Sequence, residues 1–431
     1  SLAPDAANGE PSPLFGFDQT PGVVAVEVVG DEAVLVRAAG DERFTERRPF
    51  IPWLLAAEEL PETPDSQCMQ LQGSGLTWLA EFTHWSAFLD VRDRLRREGI
   101  PHHAYGHPVK QFMVRSGVTL FKGLEFDGIR RLQFDLETTS LRPNEPNSRI
   151  LLIAACDNRG REWVLAEEDE RRLLERFLDM LREADPDVLE GHNLFNFDIP
   201  YLAARASALG LPLTMGRDGS VLSLGRERNV PIGGITRPFR PAQVWGRHLL
   251  DTLFGVQRFD VGRGELESHA LKEVAVHFGI AAPNRVYLDR TQLATIWKED
   301  AEKVRTYALQ DVLETRSLAD LVFPTEFYQS QMVPDSYQNV ATGGSGEKIN
   351  SLLVREYLRQ GYGIPQSQPP VACPGGHTEI RRTGVLRNVV KADVESLYPS
   401  IMLVYRVKPE ADTLDVFLPM LAELTARRLE A

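Results

Sequence analysis

The chain has 431 residues, a net charge of −13 at pH 7 and a hydrophobic content of 43%. This length suffices for two or three domains, and the composition is that of a globular protein rather than a disordered or fibrous one. Apolar runs are too short to cross a bilayer, and the first residues lack the basic and hydrophobic regions of a secretory signal. We therefore predict a cytoplasmic protein with no membrane partner.

The three cysteines, Cys68, Cys156 and Cys373, lie far apart and form no paired-cysteine motif. This spacing argues against a disulfide framework and against a zinc site, so we predict reduced, structural thiols.

Residues 1–120 are predicted to form a β-rich domain. Alternating apolar runs at 23–29 and 33–36 are separated by Gly30-Asp31-Glu32, which is typical of a hairpin. Residues 85–95 have helical spacing, and Gly99 and Pro101 end that pattern.

A strand with two acidic residues opens the next part of the chain, at residues 131–138. Leu132, Phe134 and Leu136 alternate with Asp135 and Glu137, so the two carboxylates share the face opposite to the apolar side chains. Like charges this close persist in a buried site mainly when a cation such as Mg²⁺ lies between them. The alternative is an exposed edge strand whose two acids are solvated.

Strands at 149–156 and 162–165, a helix at 169–183 and a strand at 187–193 follow, which indicates an α/β domain. Asp198 lies near the next helix start, where a third carboxylate can reach the same site; the alternative is a helix cap. In a predicted helix at 299–321, Tyr307 and Asp311 are four residues apart and share one face.

Residues 217–247 form the clearest basic island of an otherwise acidic chain. Gly233-Gly234 in its middle predicts a hairpin. The island is either a DNA contact or a solvated surface. Its arginines are Arg217, Arg226, Arg228, Arg237, Arg240 and Arg247.

The last part of the chain is predicted to contain a helix at 347–358, a strand at 388–394 and a final helix from Asp415. The stretch from Asp393 to Ile401 reads D-V-E-S-L-Y-P-S-I.

Taken together, these motifs carry a resemblance to a known family. The sequence resembles the exonuclease domain of B family DNA polymerases, which is ribonuclease H-like and uses four acidic residues and a tyrosine. The match covers Asp135, Glu137, Asn193, Phe197, Asp198, Tyr307 and Asp311. The stretch 393–401 is similar to the family's first polymerase motif, D-x-x-S-L-Y-P-S-I.

The resemblance implies a mixed α/β chain in four parts. These are the β-rich domain at 1–120, a ribonuclease H-like 3′→5′ exonuclease domain at 121–330, a connector at 331–375 that returns toward the N-terminal domain, and the start of a polymerase palm at 376–431. The expected activity is metal-dependent proofreading of DNA.

Four carboxylates can hold two Mg²⁺ ions, with Mn²⁺ as a substitute, and two such ions suit phosphodiester hydrolysis. The expected catalytic residues are Asp135, Glu137, Asp198, Tyr307 and Asp311, and the metal ligands are the same four acids and Asp393. Tyr307 is expected to orient a water, because a free phenol titrates too high to act as a base. The expected DNA-binding residues are Asn193, Phe197, Arg226, Arg228, Arg237 and Arg240, and those that bind a nucleotide in the polymerase motif are Asp393, Ser396, Leu397 and Tyr398.

The sequence departs from the family in two places. It ends about thirty residues after the first polymerase motif, so the second acidic motif is absent, and the linker signature Y-x-G-G appears as Cys373-Pro374-Gly375-Gly376. We therefore expect an incomplete polymerase site in this chain. The expected partners are a single-stranded 3′ end, primer-template DNA, the remainder of a polymerase chain and, as a candidate, a sliding clamp. The alternatives are a catalytically silent DNA-binding or scaffolding fragment, and a ribonuclease H-like nuclease that acts on RNA.

Overall fold

A computed structural model describes residues 12–369 and 376–430. The chain divides into two compact units. The first contains residues 15–50 and 107–352, and the second contains residues 12–14 and 51–106 with the chain from 353 onward. The predicted domains, with boundaries at 120, 330 and 375, are continuous segments of the sequence, whereas each compact unit combines separate segments. These boundaries stay a prediction.

The strands are numbered in chain order. They are β1 (Val23–Val29), β2 (Glu32–Ala39), β3 (Glu42–Pro49), β4 (Trp53–Ala56), β5 (Ser66–Gln70), β6 (Trp78–Phe82), β7 (His102–His103), β8 (Arg131–Thr138), β9 (Ile150–Asp157), β10 (Glu162–Ala166), β11 (Val188–Gly191), β12 (Ser223–Leu224), β13 (Arg228–Ile232), β14 (Ile235–Phe239), β15 (Ala242–Gln243) and β16 (His248–Asp251).

The helices are numbered in the same way. They are α1 (Trp85–Glu98), α2 (Pro108–Ser116), α3 (Glu170–Ala184), α4 (Ile199–Ala208), α5 (Thr252–Asp260), α6 (Leu271–His277), α7 (Leu293–Glu299), α8 (Ala301–Val322), α9 (Pro324–Ser330), α10 (Tyr337–Thr342), α11 (Ser345–Arg359), α12 (Leu397–Val404) and α13 (Phe417–Glu430). No helix of the described part of the chain is both long enough and apolar enough to span a membrane.

A five-stranded mixed sheet is the centre of the first unit. Its order is β10-β9-β8-β11-β16, with antiparallel pairing from β10 to β8 and parallel pairing from β8 to β16. The three strands predicted at 131–138, 149–156 and 162–165 are therefore adjacent, as expected.

The two faces of this sheet pack against different helices. Leu132, Phe134 and Leu136 lie in one core cluster with Leu174 and Phe177 of α3. On the opposite face, a second cluster joins alternate residues of β9 to buried residues of α8, namely Leu152, Ala154, Cys156, Val304, Ala308 and Val312. The alternation of β8 consequently places its acidic residues on the α8 side of the sheet.

The first unit also contains a hairpin formed by β13 and β14. The two strands pair antiparallel, with Ile232 opposite Ile235. Gly233 and Gly234 have φ angles of 58° and 80°, which L side chains rarely adopt, so the two glycines permit the tight turn. The hairpin predicted within the basic island is present.

The second unit contains a four-stranded sheet of order β5-β6-β4-β7, against which Phe88 and Leu95 of α1 pack. Near its C-terminal end, Asp412 accepts hydrogen bonds from the Tyr357 hydroxyl at 2.9 Å and from the backbone N–H of Phe417 at 2.8 Å. This acid fixes the start of α13, which begins two residues later than predicted.

The strand predicted at 388–394 is wrong. No strand pairing is found there, and Val389 and Val390 are 70% and 88% exposed. An isolated apolar run does not form a strand without a neighbour to take its backbone hydrogen bonds. Of the three cysteines, Cys68 and Cys156 are free, and Cys373 lies outside the described residues together with Pro374 and Gly375 of the linker signature.

A buried ion network in the first unit connects β3 to the central sheet. The carboxylate of Asp187, which is 1% exposed, accepts hydrogen bonds from Arg43 at 2.6 and 2.9 Å and from Arg217 at 2.9 Å. The backbone N–H of Arg130 donates to the same carboxylate at 2.9 Å. Burial alone would raise the pKa of Asp187, but these partners lower it, so the acid is ionised and paired.

We predict that Asp187→Asn lowers the free energy of unfolding by roughly 3–5 kcal/mol, because it leaves buried guanidinium groups without their counter-charge. Asp179→Asn is the control, since Asp179 forms an exposed pair with Arg182 and its loss should cost at most about 1 kcal/mol. Urea unfolding measures both variants. Equal effects would show that the network contributes nothing beyond a surface pair.

Candidate active site

Three acidic side chains from distant parts of the sequence meet at one point. Asp135 and Glu137 lie on β8, and Asp311 lies on α8, which packs across that face of the sheet. One carboxylate oxygen from each residue lies within 4.8 Å of the other two. Glu137 and Asp311 are buried, so the interpretation as a solvated edge strand is wrong.

Asp198 is held by an unusual backbone turn. Residues Leu194–Asp198 form a single π-helical turn, which proteins use rarely and often at functional sites. Asn193 before it has a φ angle of 71°. The Asp198 carboxylate is 1% exposed and makes no capping hydrogen bond to α4, so the interpretation as a helix cap is wrong.

Asp251, which no sequence motif singled out, holds this turn in place. Its carboxylate accepts hydrogen bonds from the backbone N–H groups of Asn193 at 2.8 Å, Phe195 at 3.2 Å and Leu253 at 3.0 Å. Asp251 ends β16 and caps α5. An acid at the end of an apolar strand and before a helix was the available signal.

Burial and mutual repulsion disturb the titration of these acids. Burial, followed by the negative charge of Asp311, raises the pKa of Asp135 to about 7. Burial also raises the pKa of Glu137 and that of Asp198 well above their usual values, and in both cases the charge of Asp135 adds to the effect. The Asp135 charge therefore acts on Asp198 although Asp198 is not one of the three acids that meet at 4.8 Å.

The four acids fit a divalent cation. Four of their oxygens are buried and accept no hydrogen bond from the described residues: Asp135 Oδ2, Glu137 Oε1, Asp198 Oδ1 and Asp311 Oδ2. A buried polar atom without a partner is costly, and hard oxygen donors with negative charge are what Mg²⁺ and similar ions bind. The chemistry of the site therefore suits divalent metal ions.

Three cations that sequence spacing did not reveal surround the acids. The side chain of Arg285 is 2% exposed and pairs with Asp311 and, at 3.2 Å, with Glu314. Lys272 Nζ lies 2.5 Å from Tyr307 Oη, and Arg290 Nε lies 3.5 Å from the same oxygen. Burial, followed by the charge of Asp311, raises the pKa of Tyr307, so its hydroxyl stays protonated near neutral pH.

An open cavity of about 680 Å³ leads to the acids. Its walls include two of the predicted DNA-binding residues, Asn193 and Phe197. The Phe197 ring is partly buried against Tyr201, with ring centroids 5.5 Å apart. The cavity therefore leads to the acids past an aromatic side chain.

The basic island divides into two sets in the structure. Arg217 and Arg247 pair with Asp185, and Arg217 also pairs with Asp187, so these two arginines are structural. The four predicted DNA-binding arginines lie on or beside the β13–β14 hairpin. Arg226, Arg228 and Arg240 are exposed and Arg237 is partly exposed.

The polymerase-motif residues lie in the second unit and are not part of the carboxylate group. Asp393 is exposed and accepts a hydrogen bond from the N–H of Val394 at 2.9 Å. Ser396 directly precedes α12, Leu397 begins this helix, and Tyr398 is 70% exposed. Within the described residues, no group of three possible metal ligands forms around Asp393.

The raised pKa of Asp135 predicts how pH changes the stability of the metal-free protein. Below about pH 4 the carboxyl is protonated in both the folded and the unfolded chain, so burial of this group costs little. As the pH rises from about 4 to about 7, only the unfolded chain releases the proton, and the free energy of unfolding falls.

We therefore predict that Asp135→Asn is more stable than the parent in a metal-chelating buffer near pH 8, by on the order of 1–3 kcal/mol. The difference should shrink toward pH 4. Urea unfolding at several pH values measures it, with Asp179→Asn as the control for loss of an exposed acid. Identical pH profiles for Asp135→Asn and the parent would contradict the assignment of buried repulsion.

Comparison with known proteins supports the interpretation of this site. Residues 130–274 match the family model described as DNA polymerase family B, exonuclease domain. Curated relatives include DNA polymerases of Desulfurococcus sp. (strain Tok), which is 27% identical over 356 residues, and of Thermococcus sp. (strain 9oN-7), which is 28% identical over 356 residues. Each alignment covers 77% of this chain and 44% of the relative. The chain therefore spans less than half the length of these relatives.

The fold agrees with this result. The family B DNA polymerase of the hyperthermophilic archaeon Pyrobaculum calidifontis aligns with a TM-score of 0.71 at 22% identity, over 96% of this chain and 63% of that one. This likeness confirms the mixed α/β fold class, which is consistent with the ribonuclease H-like fold expected for the domain that matches the exonuclease model. The chain is thus similar to family B DNA polymerases, and the match to their exonuclease domain lies at residues 130–274.

Proposed function

We propose that this chain removes nucleotides one at a time from the 3′ end of DNA in a reaction that requires two divalent metal ions, Mg²⁺ or Mn²⁺. The observation that carries the proposal is the meeting of Asp135, Glu137 and Asp311 beside Asp198, with a buried unpaired oxygen on each acid. This set supplies the charge and the hard oxygen ligands that two such ions need.

In this proposal the four carboxylates are the metal ligands. When bound, the ions supply a nucleophilic water at neutral pH and stabilise the charge that develops on the phosphate and the leaving oxygen. The other residues of the site position the water and the phosphate group. Tyr307 keeps its proton, because its pKa is raised, and its hydroxyl can therefore orient a water or a phosphate oxygen but not accept the proton of the water.

The substrate end enters through the cavity lined by Asn193 and Phe197. Phe197 offers an aromatic face on which a terminal base can stack, and such stacking is tolerant of base identity. Asn193 offers a side-chain amide beside the turn that carries Asp198. Binding without sequence preference is what a proofreading reaction requires, since any base can be terminal.

The residues Asp393, Ser396, Leu397 and Tyr398 are proposed to bind metal and nucleotide in a polymerase site to which further chain contributes. A polymerase site of this type needs carboxylates from two motifs to hold its ions, and this sequence contains one of them. The remainder of a polymerase chain, primer-template DNA and a sliding clamp are the proposed partners, in a cytoplasmic setting.

The test of the exonuclease is degradation of a single-stranded DNA oligonucleotide. The parent should shorten a 5′-labelled oligonucleotide progressively from its 3′ end with Mg²⁺ and should not do so in a chelating buffer. Asp135→Ala should lower the rate by roughly 10³-fold or more, since the remaining acids cannot hold both ions in position.

Asp179→Ala is the matched control and should keep the parent rate, because Asp179 lies exposed on α3. An RNA oligonucleotide of the same sequence, assayed in parallel, tests the alternative of a ribonuclease. Full activity of Asp135→Ala would refute the metal assignment, and an inactive but folded parent would favour a silent DNA-binding fragment.

A second test concerns the hairpin. Arg226, Arg228, Arg237 and Arg240 are proposed to bind phosphates, because they lie on or beside the β13–β14 hairpin of an acidic chain. Each arginine that binds a phosphate releases counterions, so removal of one such arginine should flatten the slope of log affinity against log salt by roughly 0.7 for a single strand. Replacement of all four by alanine should flatten the slope by up to about 3.

The control is a variant that also loses four arginines, but from surfaces away from the hairpin. Replacement of Arg96, Arg97, Arg172 and Arg182, which are exposed on α1 and α3, should leave the salt slope unchanged. Equal slopes for the hairpin variant and the parent would show that the hairpin arginines are a solvated surface.

A further inference from the structure

The enclosed cation of the site contacts two acids rather than one. Arg285 Nη2 donates a hydrogen bond to Asp311 Oδ1, and the same nitrogen lies 3.2 Å from Glu314 Oε2. The side chains of Asp311 and Glu314 are 1% and 3% exposed, so this group of three charges is cut off from solvent. The proposed reaction uses Asp311 as a metal ligand, whereas neither Arg285 nor Glu314 has yet a part in it.

The segment around Arg285 is fastened to α8, the helix that carries both acids. Gln310 Oε1 accepts a hydrogen bond from the backbone N–H of Val286 at 2.8 Å, and Gln310 Nε2 donates to the backbone carbonyl of Asn284 at 3.2 Å. One amide side chain of α8 therefore holds the backbone on both sides of Arg285. The two acids are three residues apart on α8 and share one face of the helix. The guanidinium is thus fixed beside both carboxylates.

The hydrogen bonds within this group are incomplete. Nε and Nη1 of Arg285 and both carboxylate oxygens of Glu314 are buried and have no hydrogen-bond partner among the described residues. Buried polar atoms without partners are costly, so hydrogen bonds between this guanidinium and Glu314 would satisfy atoms on both side chains. The two side chains already approach to 3.2 Å, so such bonds require a reorientation of side chains and no movement of the backbone.

Arg285 and a divalent cation make opposing demands on Asp311. The guanidinium bonded to Oδ1 offsets the negative charge of the carboxylate, whereas Oδ2, which is buried and unpaired, needs that charge to bind a cation. Glu314 offers the guanidinium a second acid. When Arg285 bonds to Glu314 instead, Asp311 recovers its full charge and no buried charge is left without a partner.

We propose that Glu314 is a positioning residue of the metal site, which takes the Arg285 guanidinium from Asp311 when a divalent ion binds to the acids. This inference rests on the proposed function and deepens it. In the metal-free protein Arg285 offsets the charge of Asp311, and in the metal-bound protein it pairs with Glu314. Glu314 therefore acts on the metal ligands only through Arg285, and this dependence can be measured.

The experiment is a double-mutant cycle on the binding of Mn²⁺ in the absence of DNA. Isothermal titration calorimetry measures the Mn²⁺ affinity of the parent, Glu314→Gln, Arg285→Gln and the double variant. Glu175→Gln is the matched control, since Glu175 is exposed on α3 and pairs there with Arg171. Circular dichroism verifies that each variant is folded.

Glu314→Gln should bind Mn²⁺ roughly tenfold more weakly than the parent, because the guanidinium then stays on Asp311. Arg285→Gln should bind it roughly tenfold more tightly, because no cation then competes for that carboxylate. The double variant should bind as tightly as Arg285→Gln, since Glu314 has no effect without its partner. Glu175→Gln should match the parent. If Arg285→Gln alone does not fold, the double variant decides, because it lacks both members of the buried pair and should still bind more tightly than the parent.

A double variant that returns to the affinity of the parent overturns the inference, because two independent charges near the ions would give additive effects. Equal affinities of Glu314→Gln and the parent also overturn it. In either case a parent that binds Mn²⁺ and shortens DNA keeps the proposed function. A parent that binds no Mn²⁺ refutes the proposed function and the inference with it.

Discussion

The arrangement of this site depends on like charges held together in a buried place. Strand β8 carries Asp135 and Glu137 on the face that packs against α8, and α8 brings Asp311 to the same point. Such carboxylates repel each other, and burial raises the pKa of each acid on β8. The fold must therefore provide the energy that keeps them together, and it does so with apolar cores on both faces of the central sheet. These buried acids therefore lower the stability of the fold, and they lie at the proposed active site.

The residues around the acids hold them in place in different ways. Arg285 neutralises Asp311 directly and is itself enclosed. Asp251 fixes the backbone turn that carries Asp198, because its carboxylate accepts hydrogen bonds from several backbone N–H groups. Lys272 and Arg290 are held at the cavity through Tyr307. The site thus contains one enclosed cation for structure, two accessible cations, and a hydrogen-bonded anchor for the turn that carries Asp198.

The arginines of this acidic chain differ in whether their charge is buried in ion pairs or exposed to solvent. Arg43, Arg217 and Arg247 lie in the network around Asp185 and Asp187, where they join β3 and the loop after α4 to the central sheet. The arginines of the β13–β14 hairpin have no such acidic partners among the described residues and remain at the surface. The arginines that are neighbours in the sequence therefore form two separate sets in the structure. One set stabilises the fold through buried ion pairs, and the other set faces solvent.

The sequence by itself determined the local features of this protein. The alternation along residues 131–138, the spacing of Tyr307 and Asp311, and the paired glycines of the hairpin are each short-range patterns with one physical outcome, and each was predicted correctly. The roles of Asp251, Arg285, Lys272 and Arg290, and the burial of Arg217 and Arg247, were decided only by the tertiary structure. Their contacts with Asn193, Tyr307, Asp311, Asp185 and Asp187 join residues far apart in the sequence, and no periodicity encodes such contacts. The predicted strand at 388–394 failed for the same reason, because a strand requires a neighbour that local sequence does not specify.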